Sequence, residues 1–183
     1  FNFGMLPRLW HPQTSFSLGW KRFASSNRSP RWKRYELTAG GSGCKTATVT
    51  DDGYRIESDT PKSAGGSGTA PQPVQLLLGA LVGCEQATAT FVAAKMRLPP
   101  IRRIEFHVHA ERDEWGSLAP PIHAAPPELS RLQRISGTAH VYSDATADQI
   151  AAIAEAVKRR CPVASMVIES GCELDVQWVK GEE

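Results

Sequence analysis

One segment constrains this chain more than any other: Pro73 to Met96, PVQLLLGALVGCEQATATFVAAKM. Its first half is apolar on nearly every face, and a proline stands near its start, where a helix accepts one. A helix that is apolar all round has to be covered on all sides. A membrane is one way to cover it, but the uninterrupted apolar run from Leu76 to Cys84 is nine residues and ends at Glu85-Gln86. A spanning helix needs about 18. The segment therefore predicts a long central core helix or a subunit-interface helix, and no membrane partner. With 183 residues the chain is long enough to build one domain around it.

The flanking sequence follows a different grammar. Tyr35–Thr38, Lys45–Thr50 and Tyr54–Ser58 read as a meander of short strands, with Asp52-Gly53 as a hairpin turn. Thr60 to Pro71 is a loop by composition, because Gly, Ser and Pro at that density hold neither ladder nor helix. No Gly-Lys-Ser/Thr follows it, which argues against a phosphate loop. Beyond Pro99-Pro100, Ile101–Ala110 and Ile135–Val141 alternate as strands, separated by an irregular insertion, Trp115–Pro127, that holds two Pro-Pro pairs. Thr146 and Gln149 form a capping box for a helix running to Arg160, with Ile150, Ile153, Ala154 and Val157 as its apolar stripe and Lys158, Arg159 and Arg160 suiting its C-terminal dipole. Cys161-Pro162 ends that helix, Ala164–Glu169 adds one turn, and Leu174–Val179 closes as a strand. The order β-β-β-α-β-β-α-β is that of an α+β domain.

Charge separates the amino terminus from the rest. The formal net charge is +2, too small to point to nucleic acid. All seven basic residues before Glu36 come without an acid, which leaves fourteen basic against nineteen acidic residues in the remainder. Residues 1–33 thus form a basic extension ahead of a domain over 34–183. Two readings of the extension stay open: an organelle transit peptide with a mitochondrial processing site near Lys21–Ser26, or a basic tail. The first gives a mitochondrial protein, the second a cytoplasmic one. No continuous apolar h-region of a secretory signal is present in it.

Four cysteines, spread too widely for a zinc pattern, are too few to staple a chain of this size. They read as individual thiols. Asp59, the Gly65-Gly66-Ser67-Gly68 loop, Pro73, the helix LLLGALVGC ending in Cys84, and Cys161-Pro162-Val163 together resemble the OsmC/Ohr family, over about residues 34 to 180. The resemblance implies an OsmC-like fold, an intertwined homodimer with active sites at the interface, and a thiol-dependent peroxidase acting on organic hydroperoxides. It makes Cys84 the peroxidatic and Cys161 the resolving cysteine, needs no cofactor, and implies a dithiol reductant such as dihydrolipoamide. A substrate pocket is expected from Gln75, Leu77 and Leu81 with the dimer partner. Cys161 stands where one helix ends and the next turn begins, so free backbone N–H groups there are expected to favour its thiolate.

The departures from the family pattern are equally specific. The organic hydroperoxide resistance branch carries a Glu just after the helix proline and an Arg in the first Gly-rich turn; here those places hold Val74 and Ser42. A replacement cation could come from Lys45, Arg55, Arg131 or Arg134. His107 and His109 share a strand face, but a polar, half-exposed sheet surface explains them better than a metal, and no metal is expected. Cys44 and Cys172 read as structural. A second function stays in view: an OsmC-fold small-molecule binding protein with passive thiols, its pocket framed by the Gly-rich loop, the central helix and the Pro-rich insertion.

Overall fold

The computed structural model describes residues 29–182. The transit-peptide reading and its processing site at Lys21–Ser26 lie outside the described residues. All the elements fall in the unit Glu36–Glu183: strands β1 (Leu37–Ser42), β2 (Lys45–Thr50) and β3 (Arg55–Ser58), helix α1 (Pro73–Lys95), strand β4 (Ile101–Glu111), a short helix α2 (Trp115–Leu118), strand β5 (Arg134–Ser143), helices α3 (Ala147–Arg160) and α4 (Pro162–Glu169), and strand β6 (Glu173–Lys180). This is the expected α+β order with two additions. The insertion holds a turn of helix, and the segment after Cys161 is an eight-residue helix rather than a single turn. Pro162 explains the second addition, since it stops α3 and occupies the first position of α4.

β4, β5 and β6 form one sheet, β4 antiparallel and β5–β6 parallel. Every second residue of β5, Ile135, Ala139 and Val141 among them, points to one face and is fully buried there. Against that face pack Ile150, Ile153 and Val157 of α3, Ala164 and Val167 of α4, and Leu81, Ala89 and Val92 of α1. Gly137 is the exception in the row: its φ is 152°, and a Cβ there would meet the His107 carbonyl oxygen at 2.0 Å. The opposite face is polar. His109 shares a hydrogen bond with Ser136 Oγ at 3.0 Å, the His107 and His140 rings meet edge to face, and Glu105 accepts from Tyr142 at 2.8 Å and pairs with Arg103 at 2.9 Å. The histidines thus serve the half-exposed sheet surface that their alternation implied. The capping box at the start of α3 is formed in both directions, Gln149 N donating to Thr146 Oγ1 and Thr146 N to Gln149 Oε1.

α1 is only half covered. Leu81, Glu85, Ala89, Val92 and Ala93 form its buried stripe, while Val74, Leu77, Gly79, Ala80, Gly83, Ala87 and Phe91 are exposed. By length and composition this helix could cross a membrane; the buried stripe instead faces β4, α3 and α4. The first sheet, β1–β3, pairs antiparallel throughout, and every residue of β1 is exposed. One chain leaves two apolar or unpacked surfaces, the open face of α1 and this sheet.

The Gly-rich loop is organised around a carboxylate. Asp59 is buried and accepts from Thr60 N (2.8 Å), Ser67 Oγ (2.6 Å), Ser67 N (3.2 Å) and Thr69 N (3.0 Å). The amides a phosphate would need are therefore already spent. The Ser67 hydroxyl first, then the Thr69 amide, hold the Asp59 carboxyl far below the usual carboxylate range, and burial only partly opposes them. A carboxyl whose folded pKa is depressed stabilises the fold above its unfolded pKa and stops doing so as pH falls below it. Asp59→Asn is expected to lower the melting temperature at pH 7 and to flatten the acid limb of stability below about pH 4, measured by thermal denaturation across pH.

Candidate active site at the α1 and α3–α4 thiols

α1 carries Cys84 beside its buried stripe, and the α3–α4 junction carries Cys161. The junction geometry fixes the second thiol. Cys161 closes α3, its N–H bonded to the Val157 carbonyl at 2.8 Å, and is at once the N-cap of α4, its Sγ accepting from Ala164 N at 3.4 Å. Its residue is fully buried, while Cys84 is half-buried and opens to solvent. Cys84 shares a groove with Arg160 and Pro162, the residues on either side of Cys161, although 77 positions separate the two cysteines in the sequence. Burial pushes the Cys161 thiol up; the Ala164 N–H offsets part of this, and the neighbouring Cys84 adds to the rise. The expected thiolate stabilisation at Cys161 is thus outweighed, because burial of the sulfur exceeds the opposing effect of the Ala164 and Val163 amides. Cys161 is a protonated thiol at neutral pH.

Cys84 opens into a groove of about 550 Å³ walled by Ala87, Thr88 and Phe91 of α1 and by Arg159, Arg160 and Pro162 of the junction. This wall differs from the pocket expected from sequence. Leu81 is fully buried in the closed core, and Gln75 uses its Oε1 to accept the Gln72 N–H at 2.9 Å, capping α1. Leu77 lines a separate cavity with Val74. At 1.5 Å rise per residue the seven positions from Leu77 to Cys84 span about 10 Å, so within one chain the two do not share a pocket. The residues bordering Cys84 come one turn and two turns after it rather than before.

None of the four candidate cations borders that groove either. Lys45 and Arg55 both bind Glu57, at 3.3 and 2.7 Å; Arg134 faces Glu173 and Asp175, each at 3.8 Å; Arg131 lines the cavity of Leu77. The guanidinium groups beside Cys84 are Arg159 and Arg160. Arg159 is engaged by Glu155 at 3.4 Å. Sequence reading assigned these arginines to the helix dipole alone; their position directly before Cys161 was the available signal for a site role. Cys44 is exposed near the loop glycine Gly65, and Cys172 is buried, donating to the Glu173 carbonyl at 3.6 Å.

Glu85, next to Cys84, was not legible as special. It is 2% exposed, and its Oε2 has no hydrogen-bond partner. Burial raises its pKa from the ordinary 4.5 to about 7, against a smaller opposing pull from Lys158.

With that geometry in place, the likeness to known proteins is specific. The model of the OsmC-like protein family matches residues 66–177, and the chain belongs to that family. The OsmC-like protein from Mycoplasma pneumoniae is 23% identical and superposes with a TM-score of 0.64, covering 82% of this chain and 99% of that one. An organic hydroperoxide resistance protein from Elizabethkingia anophelis is 15% identical with a TM-score of 0.62, over 83% of this chain and 99% of that one. A third structure, from Legionella pneumophila and also described as an organic hydroperoxide resistance protein, is 14% identical with a TM-score of 0.59, over 82% and 99%. No curated protein matches the chain.

Glu85 yields a pH prediction. Its folded pKa lies above its unfolded one, so the unfolded chain sheds this proton first and stability falls as pH rises from about 4.5 to about 7. Glu85→Gln is expected to remove that decline and to stabilise the protein at pH 8 by up to about 3 kcal/mol, read from urea midpoints at both ends of the range.

Proposed function

We propose that this protein is a thiol peroxidase that reduces organic hydroperoxides with the Cys84–Cys161 pair, working as a homodimer. The observation that carries the reading is a half-buried thiol, Cys84, opening to a groove walled by Arg160 and Pro162, the two neighbours of the fully buried Cys161. The family and the relatives described as organic hydroperoxide resistance proteins support it.

The chemistry balances with two thiols. The Cys84 thiolate attacks the terminal peroxide oxygen; an S–O bond forms, the O–O bond breaks, and the alcohol leaves after taking a proton. Cys84 is then a sulfenic acid, oxidised by two electrons. The Cys161 sulfur attacks it, an S–S bond forms, and water leaves with the Cys161 proton. Two exchanges with an external dithiol return both thiols, and a dihydrolipoamide-like reductant fits because no flavin or nicotinamide motif is present in the sequence. Burial of Cys161 keeps it from meeting peroxide first. The groove wall of Phe91, Ala87 and Pro162 favours a substrate with an apolar body over hydrogen peroxide.

The homodimer rests on the open face of α1. Gly79 and Gly83, one turn apart in its middle, have free space where a Cβ would stand. Flanked by Val74, Leu77 and Phe91, they offer close approach to a second helix with apolar surface on either side. The mitochondrial location belongs to this proposal as well, resting on the composition of the amino-terminal extension alone.

Two experiments test the proposal. In stopped-flow single turnovers, Cys84→Ser is expected to lose hydroperoxide reduction by at least about a thousandfold, and Cys161→Ser to consume one equivalent and stop as a sulfenic acid trapped by dimedone. Equal rates in wild type and Cys84→Ser would favour a binding protein with passive thiols. Separately, Gly79→Leu is expected to convert the dimer to a folded monomer in sedimentation velocity, since the protomer has room for the side chain. An unchanged dimer would move the interface away from α1.

A further inference from the structure

The groove of Cys84 does not end at the thiol. A second hollow of about 410 Å³ shares Phe91, Arg159 and Arg160 with it and adds Lys95 and Met96 at the end of α1 and Ala156 of α3. Together the two make a trough from Cys84 to the last turn of α1. Its charge is of one sign. Lys95, Arg159 and Arg160 line it, all three exposed, and no acidic side chain does. Arg159 is shared with Glu155, at 3.4 Å, which stands outside the lining and also meets Lys158 at 3.8 Å. Among the described residues Arg160 and Lys95 form no ion pair. Lys95 rests instead over the Phe91 ring, 5.6 Å from its centre.

The trough is distinct from the surface proposed for the homodimer. At about 100° per residue, Cys84, Thr88 and Lys95 stand about 140° round α1 from Gly79 and Gly83. A second helix packed on the glycines therefore does not run along the cations, and Phe91 lies between the two surfaces. On the reading of Cys84 and Cys161 as a peroxidase pair, two molecules in turn must reach the Cys84 sulfur. The hydroperoxide arrives neutral. The dithiol attacks as a thiolate, so it alone meets the trough as an anion. The cations thus act on the reductive half of the cycle, and a further negative group on the reductant adds to their pull.

We propose that the trough selects an anionic dithiol as reductant, its carboxylate held by the Arg159, Arg160 and Lys95 cations while its thiols meet Cys84. The proposal rests on the peroxidase reading and adds the charge of the reductant to it. One thiolate of the dithiol attacks Cys84 Sγ; a mixed S–S bond forms, the Cys84–Cys161 bond breaks, and Cys161 leaves as a thiolate that takes a proton. The second thiol of the reductant loses its proton and attacks the first; the reductant closes as a cyclic disulfide, and Cys84 leaves as the thiolate. Two electrons pass from the dithiol to the protein. Cys84 is the sulfur attacked because Cys161 is fully buried.

The test compares dihydrolipoate with dihydrolipoamide, which carry the same dithiol and differ by one carboxylate charge at pH 7. The full chain is oxidised with one equivalent of cumene hydroperoxide, and reduction of the disulfide without oxygen is followed by stopped flow. Dihydrolipoate is expected to react about fivefold faster or more at low salt. The ratio should fall toward one near 1 M salt, where the Debye length is about 3 Å. Arg160→Gln and Lys95→Gln are expected to lower the ratio and Arg160→Glu to lower it further, each at an exposed position that the core does not need. Equal rates at low salt, a ratio indifferent to salt, or one retained in Arg160→Glu would overturn the proposal. So would a charge preference in the oxidative half instead, read from the rates with a carboxylate-bearing hydroperoxide and with its methyl ester. If the hydroperoxide forms no disulfide, the peroxidase reading falls by itself; diamide then forms the same bond, and the dithiol ratio is still read on it.

Discussion

The site depends on how the chain turns at Cys161-Pro162. Proline cannot continue α3, and its fixed φ suits the first position of a new helix, so α4 begins where α3 ends. Cys161 is left at the hinge with its sulfur capping α4 and its backbone still bonded into α3. α1 lies across both helices, and its buried stripe brings Cys84 against that hinge. A helix in place of this break would turn residue 161 with the α3 periodicity, and the two sulfurs would have no reason to meet. The thiol pair is therefore a product of packing, with one sulfur enclosed by the core and the other at its edge.

Much of the fold was legible because its signals are local. The Thr146–Gln149 box, the alternation of β5 and the punctuation at Pro99-Pro100 and Cys161-Pro162 each depend on neighbours in the chain, and each stands where the sequence put it. The lining of the site was less legible because it is set by tertiary geometry. Gln75 and Leu81 were expected in the pocket from the family resemblance, yet within one chain Gln75 caps α1 and Leu81 fills the core. Arg159 and Arg160 looked like dipole complements and line the groove of Cys84. Glu85 interrupts an apolar run as a polar residue should at a surface, but the helical phase turns it inward with Leu81 and Ala89.

Electrostatics divides the molecule into settled and unsettled parts. Asp59 accepts from several donors and locks the Gly-rich loop; the Lys45–Glu57 and Arg134–Asp175 ion pairs are open to solvent and contribute little to stability. Glu85, with a bare oxygen in the core, is a cost the fold carries beside its thiols. The open face of α1 is unsettled in another sense: Leu77 and Phe91 stand exposed along it, the surface that the proposed homodimer would cover.

The central claim is that Cys84 and Cys161 act as one redox unit. The most direct measurement is peptide mapping of the full chain after reaction, without oxygen, with one equivalent of cumene hydroperoxide. The account predicts a single Cys84–Cys161 disulfide, with Cys44 and Cys172 still reduced, formed faster than with hydrogen peroxide. Thiols that all stay reduced, or a disulfide that joins Cys84 to any other cysteine, would contradict it.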